Sequence, residues 1–359
     1  MAEPLVDAVI AIHDPNRPIA RAVRSLTASG LAVAKDGLRI TVVCHNLAAG
    51  TVADALGDGL TSQVRLIEHH DGIRSPAGPF NAGVAAASAR FVSIMGSDDY
   101  LEPGALHAWC DLADDSVDAV IAPQAHADGS TIRTPPVRPF RSGDRDALKD
   151  RLFYRTAPLG LVRRDAIDRL GLTLTEGLAS GEDQAFSARL WVGSRATRYA
   201  ARAPRYVVGA DAESRVSMTY RPLREDLAFV ERLIDDPWFA GLPVRTRRAI
   251  AVKIARIHLF AAVLARIDGT NWNDDEHASL AGLIERMRER APGFERTLSL
   301  ADDRVLSAVV EAGSSTERIA SLSRARRRFG RPSTLLPSNP LSLLAADAPL
   351  RFIVASALL

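Results

Sequence analysis

Four short apolar runs constrain this chain most. Ala8 to Ile12 (AVIAI), Arg39 to Cys44 (RITVVC), Val64 to Glu68 (VRLIE) and Phe91 to Met95 (FVSIM) each have strand length and run into turn-forming residues. Helical patterning fills the intervals. From Pro18 onward Ile19, Val23 and Leu26 share one face, Arg17, Arg21 and Arg24 lie elsewhere, and Gly30 stops the helix. Val52 to Leu56 predicts a short second helix, and the small-residue run NAGVAAASA, after the Gly- and Pro-rich loop HHDGIRSPAGPF, a third. Strands alternating with helices predict a Rossmann-like, mostly parallel α/β sheet with right-handed crossovers.

The second half changes character. A helix near Pro103 and a strand at Val117 to Ala122 are followed by a polar loop, Thr131 to Asp144. Helical segments are expected at Asp146 to Tyr154 and Arg163 to Leu170. Another follows Gly181, with Phe186, Leu190 and Trp191 inward and Glu182 and Asp183 in its first turn, where the helix dipole favours carboxylates. The strand-like runs ATRYA and PRYVV close this half. From Pro222 helical periodicity takes over: Ile254, Ile257, Ala261 and Leu264 on one face of a segment ending at Gly269, then Asp275 to Arg290 and Val305 to Arg328. The expected organisation is an α/β domain over 1–221, a helical accessory domain over 222–331, and a Pro-containing linker with an apolar C-terminal tail over 332–359. The arginine run ending at Arg331 beside that tail suits a peripheral membrane contact, or a solvated helix end with a docked tail.

Composition narrows the function classes. With 359 residues, 47% hydrophobic and 25% charged, the chain can bury a sizeable core, and a net charge of +2 gives no reason to expect nucleic acid. Lysine occurs only at Lys35, Lys149 and Lys253, and with the heavy alanine use this suggests a GC-rich bacterial genome. Cys44 and Cys110 are the only cysteines and sit in apolar contexts, as in a reduced, cytoplasmic protein. The first residues lead directly into a strand without a signal-peptide pattern, and no apolar run is long enough to span a bilayer.

Phosphate-loop, G-x-G-x-x-G, G-x-S-x-G and H-E-x-x-H motifs are absent. His69 and His70 are adjacent, a poor spacing for one metal. The chemistry concentrates in RFVSIMGSDDYLEPGAL (90–106). Asp98 and Asp99 follow the fourth apolar run, at the carboxyl end of a strand, where open α/β sheets bind ligands. Two such carboxylates suit a divalent cation holding a phosphate. Taken alone, the pair is explained as well by a solvated turn capping the helix near Pro103.

Three features in order carry a resemblance: Asn81-x-Gly83, the continuation to Ser97-Asp98-Asp99 with Pro103-Gly104, and Gly181-Glu182-Asp183 preceded by LGLVRRDAIDRLGL. Over about Leu5 to Tyr220 the chain resembles the family 2 glycosyltransferases, inverting nucleotide-sugar enzymes of the GT-A fold. The resemblance implies a nucleotide-sugar donor, UDP-type favoured, and Mg2+ or Mn2+ held by Asp98. Asp183 would be the general base, and Glu182 would orient or contact the acceptor. Ile12, His13, Asp14, Asp71, Arg74, Asn81, Ser97 and Asp99 would contact the donor, and Arg215 would close on its diphosphate. Family habit points to hexosyl or N-acetylhexosaminyl transfer onto a cell-envelope glycan or polyprenyl-linked acceptor at the inner face of the membrane. The chain also departs from the pattern. Gly96 stands at the first acid of D-x-D, Cys44-His45-Asn46-Leu47 replaces an acidic base-recognition run, and Phe80 replaces an arginine for which Arg74 could substitute. After Asp183 no histidine occurs until His258, leaving Asp211 or Glu213 as further metal ligands. The rival expectations are an inactive glycan-binding scaffold of the same fold and a nucleotidyltransferase, the latter lacking a basic glycine-rich phosphate loop.

Overall fold

The computed structural model describes residues 5–33, 37–209 and 221–358. The chain forms two compact units. The first comprises residues 1–134, 142–145 and 155–219; the second takes 135–141, 146–154 and 220–359.

The first unit is built on a seven-stranded sheet. The strands, in chain order, are β1 (Val6–Ile12), β2 (Leu38–His45), β3 (Val64–His69), β4 (Phe91–Gly96), β6 (Ala119–Ile121), β9 (Gly160–Arg163) and β10 (Thr197–Tyr199). Their order across the sheet is β10-β6-β9-β4-β1-β2-β3. β1 pairs in parallel with β2 and β4, β2 with β3, and β10 with β6; β9 runs antiparallel to both β4 and β6. β5 (Tyr100–Leu101), β7 (Gln124–His126), β8 (Thr131–Ile132) and β11 (Tyr206–Val208) make a second sheet in the order β5-β11-β7-β8. Its helices are α1 (Ile19–Thr27), α2 (Ala49–Leu56), α3 (Asp58–Thr61), α4 (Ala77–Ala85), α5 (Ala105–Cys110), α6 (Arg164–Leu170) and α7 (Gln184–Gly193).

β1, β2 and β4 are almost wholly buried, so their sequences run apolar rather than alternating. Ile19, Ala22, Val23 and Leu26 of α1 join that core. Two buried carboxylates clasp the sheet. Asp7 accepts from the Arg39 guanidinium and from the amides of Ser88 and Ala89. Asp118 accepts from Arg169 and Arg195. Each is paired and hydrogen-bonded, as burial of a charge requires.

Two expectations for this unit are corrected. The third helix starts at Ala77, inside the stretch expected as a loop, and ends at Ala85 rather than running to Ala89. Pro79 is no obstacle, because a first-turn residue has no intrahelical use for its N–H. Gly160 to Arg163, which spans the end of the gap between two expected helices (Ala157 to Val162) and the expected first residue of the second, is instead the antiparallel strand β9. Gly160 adopts φ +132°, and a Cβ there would collide with the backbone of Val120 and Ala122. The segment expected to be helical over Asp146 to Tyr154 forms turns and a single 3-10 turn, Leu152–Tyr154.

The second unit is helical: α8 (Leu223–Asp226), α9 (Ala228–Asp235), α10 (Pro237–Gly241), α11 (Val244–Ile254), α12 (Phe260–Asp268), α13 (Asp274–Arg290), α14 (Leu300–Val310), α15 (Thr316–Arg326), α16 (Pro332–Leu335) and α17 (Pro349–Ala357). A π-turn, Ala255–Leu259, joins α11 to α12. Its extra residue slips the register. Ile254, Ala255, Leu259, Phe260 and Val263 therefore point inward, whereas Ile257, expected on the buried face, is exposed. The single helix expected over Val305 to Arg328 is two, α14 and α15, broken near Gly313, which adopts φ +79°. α17 is anchored by Phe352, whose ring meets that of Tyr154 at a tilt of 52° with centroids 4.8 Å apart and lies under the Arg256 guanidinium at 5.3 Å. Among the described residues no helix is long and apolar enough to cross a membrane.

Candidate active site

The carboxyl end of β4, flanked by β1 and β9, opens into the Ser97-Asp98-Asp99 turn. Asp98 Oδ1 accepts from Arg17 Nη1 at 2.9 Å, both side chains being only 13–14% exposed, and Arg21 Nη2 donates to the Asp98 carbonyl. Asp99 turns inward. Its Oδ2 accepts from the Tyr206 hydroxyl and its Oδ1 from the Gly209 amide at 2.9 Å. The Tyr206 hydroxyl in turn accepts from the Gly96 amide at 3.1 Å. Burial raises the Asp99 pKa from its ordinary value, more than these two hydrogen bonds lower it. A Cβ on Gly96 would lie 2.6 Å from Asp99 Oδ2 and 3.2 Å from Asp98 Oδ1. An acid at position 96 would therefore collide with the two that follow it. Ser97 is 1% exposed, and its hydroxyl has no hydrogen-bond partner among the described residues. An orphaned buried hydroxyl at a strand end calls for a ligand atom.

A second cluster sits at the ends of β2 and β3. Asp71 Oδ1 meets His45 Nε2 at 2.8 Å and the Ile73 amide at 2.8 Å, while its Oδ2 meets His69 Nε2 at 3.2 Å. Burial pushes the Asp71 carboxyl up, but the Ile73 amide and His45 outweigh it and hold the group well below the usual carboxylate range. Asn46, in the left-handed region at φ 55°, accepts from the amides of Asp71 and Gly72 and so ties the two loops together. Of the other expected donor contacts, Ile12 is buried at the end of β1, His13 follows it exposed, Asp14 caps the Asn16 amide at 3.0 Å, and Arg74 is exposed.

The third group hangs from α4. Asn81 Nδ2 donates to the Leu174 carbonyl and to Glu176 Oε1, both at 3.0 Å, and its Oδ1 accepts from the Leu174 amide at 2.9 Å. The neighbouring Thr175 amide donates to the Glu182 carbonyl at 2.9 Å. Asn81, expected to touch the donor, thus holds the loop that presents Glu182 and Asp183. Gly83, one turn-face away, is required because a Cβ would strike Val9 and crowd Val43. Asp183 occupies the N-cap position of α7 and accepts from Gln184 Nε2 at 3.2 Å. α7 is fixed by buried Phe186, Leu190 and Trp191, the last donating to the Arg155 carbonyl at 2.9 Å. Burial, and then the Asp183 charge beside it, raise Glu182 from 4.5 to about 7. A carboxyl that is half protonated near neutrality, next to a second carboxyl, is suited to moving a proton.

Residues 8–171 match the family model described as Glycosyl transferase family 2. Over that span the chain is similar to the family 2 glycosyltransferases. The match covers β1 to α6 and ends before Glu182. A crystal structure of S. aureus TarS 1-349 in complex with UDP-GlcNAc aligns with a TM-score of 0.73 at 14% identity, over 90% of this chain and 91% of that one. A second S. aureus TarS crystal structure aligns at 0.70 and 13%, over 90% of this chain and 55% of that one. At such identities the likeness shows the GT-A fold. The succinoglycan biosynthesis protein ExoO of Rhizobium meliloti (strain 1021) is 32% identical over 112 residues, which is 31% of this chain and 30% of that relative's length.

Within the matched span, the turn after β4 can offer a cation one carboxylate. Asp98 has an oxygen not engaged by Arg17, Asp99 is held by Tyr206 and Gly209, and position 96 has no side chain. Among the described residues no three acidic, histidine or cysteine side chains converge as a metal cage. This donor set fits Mg2+ or Mn2+ shared with a ligand's own phosphates, the usual habit of Mg2+. Arg215, Asp211 and Glu213 lie outside the described residues. Arg17, Arg21, Tyr206, His45 and His69 escaped the sequence reading as site residues. The i, i+4 arginines after β1 were the available signal for the first two; Tyr206 reads only as a strand residue.

Proposed function

We propose that this protein is an inverting glycosyltransferase that moves a sugar from a nucleotide-sugar donor, UDP-type favoured, to a cell-envelope glycan or lipid-linked acceptor. The observation that carries the reading is the turn after β4, where a buried orphan hydroxyl, Asp98 and two arginines meet at a strand end. The fold shared with TarS, whose crystal structure holds UDP-GlcNAc, supports the UDP preference.

In this reading residues 1–221 carry the chemistry and the helices from 222 are accessory. Ser97 and Arg74 contact the donor. Asp98 holds Mg2+ or Mn2+, which when bound neutralises charge growing on the departing diphosphate. Arg17 and Arg21 add fixed positive charge there, and Arg17 also sets the Asp98 carboxylate in place. Asp99, hydrogen-bonded by Tyr206, shapes the turn rather than touching the donor. Asp71, braced by two histidines, offers a rigid acceptor edge to the nucleobase. Asp183 takes the proton of the attacking hydroxyl, and Glu182 positions that hydroxyl.

The test is Asp183→Asn. Transfer should fall by roughly 10²–10⁴-fold, the range for losing a general base, with donor affinity by calorimetry nearly unchanged. Undiminished turnover removes Asp183 as base. A wild-type protein whose melting temperature moves with none of UDP, UDP-GlcNAc or GDP-mannose, with or without Mn2+, overturns the donor assignment.

A further inference from the structure

α17 is apolar on two sides, and only one of them is covered. Pro349 and Ala355 are buried and Phe352 docks on Tyr154, whereas Leu350, Ile353, Val354 and Leu358 are exposed. Their i, i+3, i+4, i+8 spacing makes one stripe along the helix. Arg351 Nη1 donates to the Leu344 carbonyl, which brings the preceding loop against the helix. On that loop Leu341 is 94% and Leu344 79% exposed. α16 packs on α17 and starts directly after Arg331, so the exposed segment Arg327-Arg328-Phe329-Gly330-Arg331 leads into the same surface. Phe329 is 82% exposed.

The charge on this surface has one sign. Among the described residues, Arg327, Arg328 and Arg331 make no side-chain ion pair, in contrast to Arg324 on Asp268 and Arg326 on Asp302. From Arg318 to Leu358 the sole acidic residue is Asp347, which faces Arg256 and Arg151. We propose that this surface is a peripheral docking site for an anionic lipid bilayer, with the α17 stripe and Leu341, Leu344 and Phe329 entering the headgroup boundary and the arginines meeting lipid phosphates. A second copy of the chain would bring arginine against arginine, and a nucleic-acid backbone would leave the leucines without a partner. The proposal stands apart from the donor site, so its failure leaves the glycosyltransferase reading intact.

The experiment is flotation of the full chain with phosphatidylcholine vesicles, with and without phosphatidylglycerol. The protein should float with the anionic vesicles, release on raising salt, and ignore neutral ones. Arg327→Gln/Arg328→Gln/Arg331→Gln should weaken binding by about a hundredfold, since each arginine near an anionic surface contributes roughly a factor of five. Leu341→Ser/Leu344→Ser/Val354→Ser should also release it. All six side chains are exposed, and melting curves followed by circular dichroism confirm that both variants fold. Absence of binding to anionic vesicles overturns the proposal, as does wild-type binding by either variant. So does a wild-type dimer in light scattering that the serine variant splits, because a second copy then covers the stripe.

Discussion

Glu182→Gln tests the carboxyl pair through stability rather than activity. Burial and the neighbouring Asp183 charge raise Glu182 from 4.5 to about 7. Between those values the folded protein keeps a proton that the unfolded chain releases, so wild-type stability falls as pH rises through that window. Glutamine has no such proton to lose. The variant should match the wild type below pH 4.5 and gain on it up to about pH 7, reaching a ceiling of about 3 kcal/mol at 1.36 kcal/mol for each pH unit. For a unit of this size that is roughly 6–12 °C in melting temperature. The assay is a differential scanning fluorimetry series from pH 4 to pH 8, without nucleotide or metal, since a bound ligand would shift both proteins by mass action. A difference that stays constant with pH, or a variant that melts below the wild type at pH 8, refutes the stored-charge argument. Transfer by the same variant should drop, so that the gain in stability comes with a loss of function.

Asn81→Ala removes three hydrogen bonds to the 174–176 loop; it should lower stability by about 1–3 kcal/mol and reduce kcat far more than it raises the donor KM, and a pure KM effect would return Asn81 to the donor site. Tyr206→Phe leaves buried Asp99 without one donor and should cost about 1–3 kcal/mol in urea unfolding; an unchanged midpoint would mean that the Tyr206 hydroxyl does not support Asp99. Gly96→Ala should cost about 1–3 kcal/mol by overpacking and weaken nucleotide binding, because Asp99 can retreat only by losing Tyr206 and Gly209; full binding in calorimetry would show that the turn is softer than this.

The parallel core was legible because β1, β2 and β4 are buried on both faces and so appear as unbroken apolar runs. The placement of Asp98 just after a strand and of Asp183 at a helix start was legible, because each stands beside a turn signal in the sequence. β9 was not, since Gly160 to Arg163 is too short to show a period, and its place depends on Gly160 fitting against Val120. The start of α4 hid behind Pro76 and Pro79, which read as breakers yet sit where a helix tolerates them. The π-turn at Ala255–Leu259 defeats any fixed 3.6-residue template. Arg17 on Asp98 joins residues 81 positions apart, a contact that no local pattern encodes.

α4 makes one further demand on the site. At its first turn Gly78 has no side chain because a Cβ would lie 2.5 Å from Asp71 Oδ2 and 2.7 Å from His69 Nε2. Three residues later Asn81 carries the loop of Glu182. Three residues of helix, about 4.5 Å of rise, are therefore the ruler between the β3-end cluster and the Glu182-Asp183 pair. Inserting one residue between Gly78 and Asn81 would swing the amide by about 100° and unhook that loop while leaving Asp71 and its histidines where they are. The register of this one turn sets how far apart the two halves of the proposed site can stand.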